Sequence, residues 1–232
     1  SAERAAILGQ LANPHSRPLV VVAPPQGLMQ EITPPAVFQR ATRRIRVGDR
    51  VQQPELVAWC LDHGFELTPL VHEQGQIARR GSIIDIFPAD ADVPVRIDFF
   101  GDDVESLRTF ELSTQRSRDR LQELTLLPPA EVDLTRLPEA GAALAELDFT
   151  SLRPEVATEW KRTLEQVGHG RTPPSLDLFA PYLSPRAASL LDHLPADALV
   201  IVDEPAAVDL VALQLEQKAA ELRDAFVTNG EL

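Results

Sequence analysis

Apolar and polar positions alternate with a period of two in the middle of this chain. In Val95–Phe100, Val95, Ile97 and Phe99 fall on one side of an extended backbone, and Arg96, Asp98 and Phe100 on the other. That pattern predicts a strand with one face in a core and one face carrying a cation, an anion and an aromatic ring. Gly101, Asp102 and Asp103 supply turn chemistry before a second extended run over residues 104–112, so the two strands are expected to pair as a hairpin. Residues 82–87 (SIIDIF) predict a further strand, stopped by Pro88. Residues 121–127 predict a last one, closed by Pro128 and Pro129.

Outside this region the period lengthens to that of a helix. Helices are expected over 2–11, from Gln53 to Gly64, over 139–147, over 154–167 and near 185–194, with a Gly, Pro and Thr loop at 168–174. The longest runs from Pro205 to about Phe226. Val208, Val211, Leu215, Ala219, Leu222 and Phe226 recur there at spacings of three and four, Pro205 suits the first turn, and Asn229-Gly230 suits the end. Two continuous apolar runs, 18–23 (PLVVVA) and 198–202 (ALVIV), have the character of strands buried in a parallel sheet. These elements predict an α/β domain made of two chain parts, residues 1–41 and 129–232, with a mainly antiparallel β-rich domain, 42–128, inserted between them.

Charge narrows the function. The 232 residues carry 35 acidic and 22 basic side chains, a formal net charge of −13, which argues against a surface built to hold phosphate backbones. Contact with DNA is expected to be weak or indirect. Lys161 and Lys218 are the only lysines, so the basic residues are almost all arginines, the cation better suited to fixed contacts with carboxylates. The single cysteine, Cys60, excludes an internal disulfide and sits among Ala58, Trp59 and Leu61 as a buried thiol would. With no run of 18 apolar residues and no leader pattern, a cytoplasmic location is expected.

Candidate chemistry is sparse. Asp203-Glu204 follows an apolar run and opens a helix, the placement of the acidic pair that holds magnesium in phosphate-loop helicases. Hydrolysis also needs a G-x-x-x-x-G-K-[ST] loop, and neither lysine here follows a glycine, so the pair is expected to serve the helix N-terminus, by capping and by its charge against the helix dipole. His15, His63, His72, His169 and His193 show no ligand spacing with each other or with Cys60, and neither a metal nor a cofactor is expected. What remains is the polar face of the inserted sheet. Arg96 and Phe100 lie about 13 Å apart on one side of one strand, and arginine and aromatic side chains are the common anchors of protein interfaces. The competing expectation has Phe100 tucked under the hairpin and Arg96 paired with Asp98 or Glu105 in solvent. Arg80 cannot be placed on this face by parity, because Gly81 interrupts the strand.

The stretch from Arg80-Gly81 through Asp85-Ile86-Phe87-Pro88, Arg96-Ile97-Asp98-Phe99-Phe100-Gly101-Asp102-Asp103 and Glu105-Ser106-Leu107-Arg108 to Thr114-Gln115-Arg116-Ser117 resembles the second domain of the UvrB homology module. That module occurs in the excision repair helicase UvrB and in transcription-repair coupling factors. Thr114–Ser117 and the Phe99-Phe100 pair resemble the coupling factors more closely. The resemblance is dense over residues 40–130. It implies that the flanking α/β parts are a degenerate helicase-like (RecA-like) domain, and that the parent protein is an ATP-dependent DNA translocase. It implies as well that Arg80, Arg96 and Phe100 belong to the surface that recruits UvrA, and that the other partners are domains of the parent protein. The chain is thus expected to be a non-catalytic adaptor. The alternative is a fragment of the UvrB subunit, with Asp203 and Glu204 active once a phosphate loop is supplied.

Overall fold

A computed structural model describes residues 2–12, 19–173, 176–183 and 188–231. In chain order the elements are α1 (Ala2–Ala12), α2 (Pro25–Met29), α3 (Pro35–Arg40), β1 (Arg43–Arg46), α4 (Gln53–Asp62), β2 (Glu66–Leu67), β3 (Gln76–Arg80), β4 (Ile83–Ile86), β5 (Val95–Phe100), β6 (Asp103–Phe110), β7 (Ser117–Leu121), β8 (Glu123–Leu126), α5 (Leu137–Ala145), α6 (Pro154–Gly168), α7 (Ala180–Leu183) and α8 (Pro205–Thr228). The molecule is mixed α/β and divides into two compact units. Of the described residues, 2–12 and 33–134 form one, and 19–32 with 135–231 form the other.

The first unit holds a six-stranded sheet in the order β2-β3-β4-β5-β6-β7 and a two-stranded sheet of β1 and β8. Every pairing is antiparallel except the short β2–β3 contact. Two tight hairpins organise the large sheet. Gly81 and Gly101 open the two-residue loops between β3 and β4 and between β5 and β6, with φ of 61° and 63°. A side chain rarely adopts that conformation, which is why glycine leads both loops. Gly81 is thus a turn residue and not a break within a strand. Alternation then follows from the pleat: Ile84, Ile86, Val95, Ile97, Phe99, Val104 and Leu107 are buried together with Leu56 and Cys60 of α4 and with Ile45, Leu124 and Leu126 of the small sheet. Trp59 of α4 lies under the Arg43 guanidinium, 5.6 Å from the ring centroid, and stacks on His63 at 4.4 Å.

In the second unit α5 and α6 pack closely: a Cβ at Gly141 would lie 2.7 Å from the backbone nitrogen of Gly168, so only glycine fits. Ile32, Leu137, Ala140, Leu144, Leu164, Val167, Phe179, Leu183 and Ala188 are its buried apolar residues among those described. The helix expected from Pro205 forms and ends at Asn229 and Gly230, but no residue of α8 is buried. Val208, Val211 and Leu215 are half-buried, while Ala219, Leu222 and Phe226 face solvent. The helix expected near 185–194 is a single 3-10 turn, Leu190–His193, capped by Ser189; residues 184–187 and Pro18 lie outside the described residues.

Two strand expectations are overturned. Residues 19–23 and 198–202 are irregular, with Val22 at 91% and Leu199 at 85% exposure. A strand exists only through ladder partners, and among the described residues neither run has one. Asp203-Glu204 therefore follows no strand. Glu204 adopts a left-handed backbone (φ 48°, ψ 64°) and its side chain makes no capping bond; its carbonyl accepts from the amides of Ala207 and Val208. The expected side-chain capping role is likewise corrected.

Candidate protein-interaction face

Strand pairing places the side chains of the large sheet in rows. Ala78, Asp85, Arg96, Arg108 and Arg120 are successive cross-strand partners on β3, β4, β5, β6 and β7. Cross-strand partners project to the same side, and the neighbouring row, Ile84, Ile97 and Leu107, points into the core. The row beginning with Ala78 therefore stands on the opposite, polar face. Arg80 lies two residues along β3 from Ala78 and shares that face, which sequence parity alone could not show.

Asp85 is the centre of the arrangement and is fully buried, with 0% exposure. Arg96 donates to it through one edge of the guanidinium, Nε to Oδ1 at 2.7 Å and Nη2 to Oδ2 at 2.9 Å. Arg80 Nη2 donates to the same Oδ2. A carboxylate without solvent requires such partners, since an uncompensated buried charge is far too costly to keep. Arg96 is itself mostly enclosed, its side chain 14% exposed. It lies over the Phe110 ring, 4.7 Å from the centroid, and its Nη1 donates to the Gln115 carbonyl at 3.2 Å. The bonds to Asp85 raise the Arg96 guanidinium above its ordinary range, against the opposing effect of burial. Gln115 reaches this position through a left-handed backbone (φ 58°).

The three residues expected at the face are thus brought to one side of the sheet in unequal states. Phe100 is 78% exposed at the tip of the β5–β6 hairpin, so it does not tuck under the turn. Arg80 is half exposed, at 47% for its side chain. Arg96 differs from the expectation of an exposed anchor, since its side chain is mostly enclosed. It pairs neither with Asp98 nor with Glu105; Asp98 instead accepts from the Ser106 hydroxyl at 2.6 Å. Asp85 was the residue sequence reasoning missed. Its signal was a lone acid between Ile84 and Ile86 in an apolar strand, the position in which a charge must find partners.

No group of His, Cys, Asp and Glu able to hold a metal occurs among the described residues. Burial pushes the Cys60 thiol up to about 12, with Arg43 pulling weakly the other way, so it is no nucleophile. No helix among the described residues is long and apolar enough to cross a membrane.

Residues 44–131, which contain the whole polar face, match the family model of the UvrB interaction domain. The chain carries a UvrB interaction domain. It is similar over most of its length to proteins named transcription-repair-coupling factor. The Bacillus subtilis protein is 30% identical over 239 residues, covering 98% of this chain. The Myxococcus xanthus protein is 30% identical over 213 residues and 87% of this chain, and the Escherichia coli protein 29% identical over 185 residues and 78%. The chain spans only 20%, 18% and 16% of these relatives. The matched segment runs from within β1 to just past β8 and so takes in both sheets of the first unit.

Proposed function

We propose that this chain is a non-catalytic adaptor that recruits the excision repair protein UvrA in transcription-coupled DNA repair. The observation that carries it is Phe100: a large ring held out in solvent on the sheet face that also carries the half-exposed Arg80 and the Asp85 ion cluster, while its neighbour Phe99 is buried. Exposed aromatic and arginine side chains on one face are common interface hot spots. Arg80 and Phe100 contact the partner directly, and Arg96 contributes chiefly by holding Asp85 and, through it, Arg80. The relatives' shared name supports a setting in repair coupled to transcription. It also favours the coupling factors over the alternative of a UvrB subunit fragment with ATP-dependent activity. Within this proposal the domains are 1–41, 42–128 and 129–232, the outer two being parts of a degenerate helicase-like domain in a parent that translocates on DNA. The exposed apolar runs 19–23 and 198–202 are the segments that a larger sheet would pair.

Titration of purified UvrA against the wild-type chain, Arg80→Ala and Phe100→Ala tests this function. Micromolar or tighter binding by wild type is expected, weakened at least tenfold by either substitution. Full binding by the folded Phe100→Ala variant would place the contact elsewhere, and absence of binding by wild type would end the proposal.

A further inference from the structure

The row that contains Arg96 does not stop at the ion cluster. Arg108 and Arg120 are its next two members, so three arginines stand directly opposite one another across β5, β6 and β7, spanning about 10 Å at the usual strand spacing. Like charges in directly opposed positions destabilise a sheet. Asp85 compensates Arg96, but among the described residues neither Arg108 nor Arg120 forms an ion pair, while Arg118 on the same edge strand does, with Glu111 at 3.0 Å. Arg108 Nε is moreover buried without a protein acceptor. A buried donor left open is costly, and a second charge set beside it adds to that cost. The repulsion is relieved where an anion enters the row beside the exposed Arg120, while the enclosed Nε of Arg108 stays out of its reach.

We propose that Arg108 and Arg120 form a carboxylate-binding strip that receives an acidic patch of the protein partner. The strip rests on the partner-binding role of this face and extends it from the Arg80 and Phe100 end to the β7 edge, where all five residues but Leu121 are exposed. A protein carboxylate suits the site better than a nucleic-acid phosphate for two reasons. Asp98 and Asp103 stand on the same face, and the chain carries a net charge of −13, so a polyanionic backbone would meet repulsion beyond the strip. Paired guanidinium forks, in contrast, match isolated carboxylates two oxygens at a time.

The test uses two probes on the wild-type chain, on Phe100→Ala and on the double variant Arg108→Ala with Arg120→Ala. UvrA is titrated at two salt concentrations, and a twelve-residue peptide of alternating Glu and Asp is titrated against a twelve-nucleotide single strand while the amide resonances of residues 95–121 are followed. The double variant should melt no lower than wild type, bind UvrA at least tenfold more weakly and lose most of the salt dependence. The acidic peptide should shift the amides around Arg108 and Arg120 in wild type and not in the double variant. Peptide shifts with no binding of UvrA by wild type would support the strip and reject UvrA as its partner. Unchanged UvrA binding by the double variant, with a loss in Phe100→Ala, would overturn the strip and leave the Phe100 contact standing. Shifts at Arg108 and Arg120 from the oligonucleotide alone, or from neither probe, would also overturn it.

Discussion

Arg96 and Asp85 face each other across β5 and β4 and are joined by two nearly parallel hydrogen bonds, at 2.7 and 2.9 Å, with the carboxylate wholly out of solvent. The pair stands on the same sheet face as Phe100, further along β5, and Asp85 also holds Arg80, so a substitution at Arg96 is expected to act on stability and, through Arg80, on binding together.

Removal of either partner should therefore destabilise the first unit. Arg96→Ala leaves Asp85 with Arg80 alone, and Asp85→Ala leaves Arg96 without its carboxylate; each is expected to cost about 3 kcal/mol or more. A double-mutant cycle by chemical denaturation should return a coupling energy well above the ~0.5 kcal/mol of an exposed pair. Asp85→Leu with Arg96→Met should recover much of the loss, because an apolar pair of similar volume has no charge to compensate.

Phe100 and its neighbour in sequence should behave oppositely. Phe100→Ala removes an exposed ring and is expected to change stability by less than about 0.5 kcal/mol. Phe99→Ala or Ile97→Ala opens a cavity among Ile84, Val95 and Leu107 and is expected to cost roughly 2 to 5 kcal/mol. Thermal melts of the three variants check the assignment of the two sheet faces; a Phe100→Ala protein that melts like Ile97→Ala would refute it.

Cys60 gives a pH dependence of definite sign. Its thiol has an ordinary value of 9.0 and is raised to about 12 by burial in the fold, so the native state retains a proton that the unfolded chain loses. This contribution is fully present below pH 9 and is lost progressively as pH rises from 9 towards 12. Between pH 9 and 10.5 the wild type should lose about 2 kcal/mol that a Cys60→Ala protein does not lose. Denaturant unfolding of both at the two pH values measures the difference.

No magnesium-dependent ATP turnover is expected from the chain. Asp203 and Glu204 follow an irregular segment and have no phosphate loop to work with. A phosphate-release assay on wild type and on Asp203→Ala with Glu204→Ala should read the same background; turnover abolished in the double variant would restore the helicase-subunit alternative.

The period-two alternation of 95–100 was enough to assign Ile97 and Phe99 to the core and Phe100 to the opposite face, because a pleat permits nothing else. Glycine at 101 and the polar residues after it located one hairpin, and the spacing of α5, α6 and α8 located three helices. Local rules could say less wherever a residue's state depends on a remote partner. Gly81 signalled a break, yet only the pairing of β3 with β4 showed it to be a turn that sets Arg80 on the polar face. The strand Ser117–Leu121 has one apolar residue in five and no alternation to read; it exists because β6 offers it a ladder. The apolar runs at 19–23 and 198–202 have the composition of buried strands and, among the described residues, none of the neighbours, so they do not form them. Arg96 has the sequence signature of a surface cation, and the depth at which Asp85 lies decided otherwise: burial is a property of what surrounds a side chain, and those surroundings come from residues far apart in the chain.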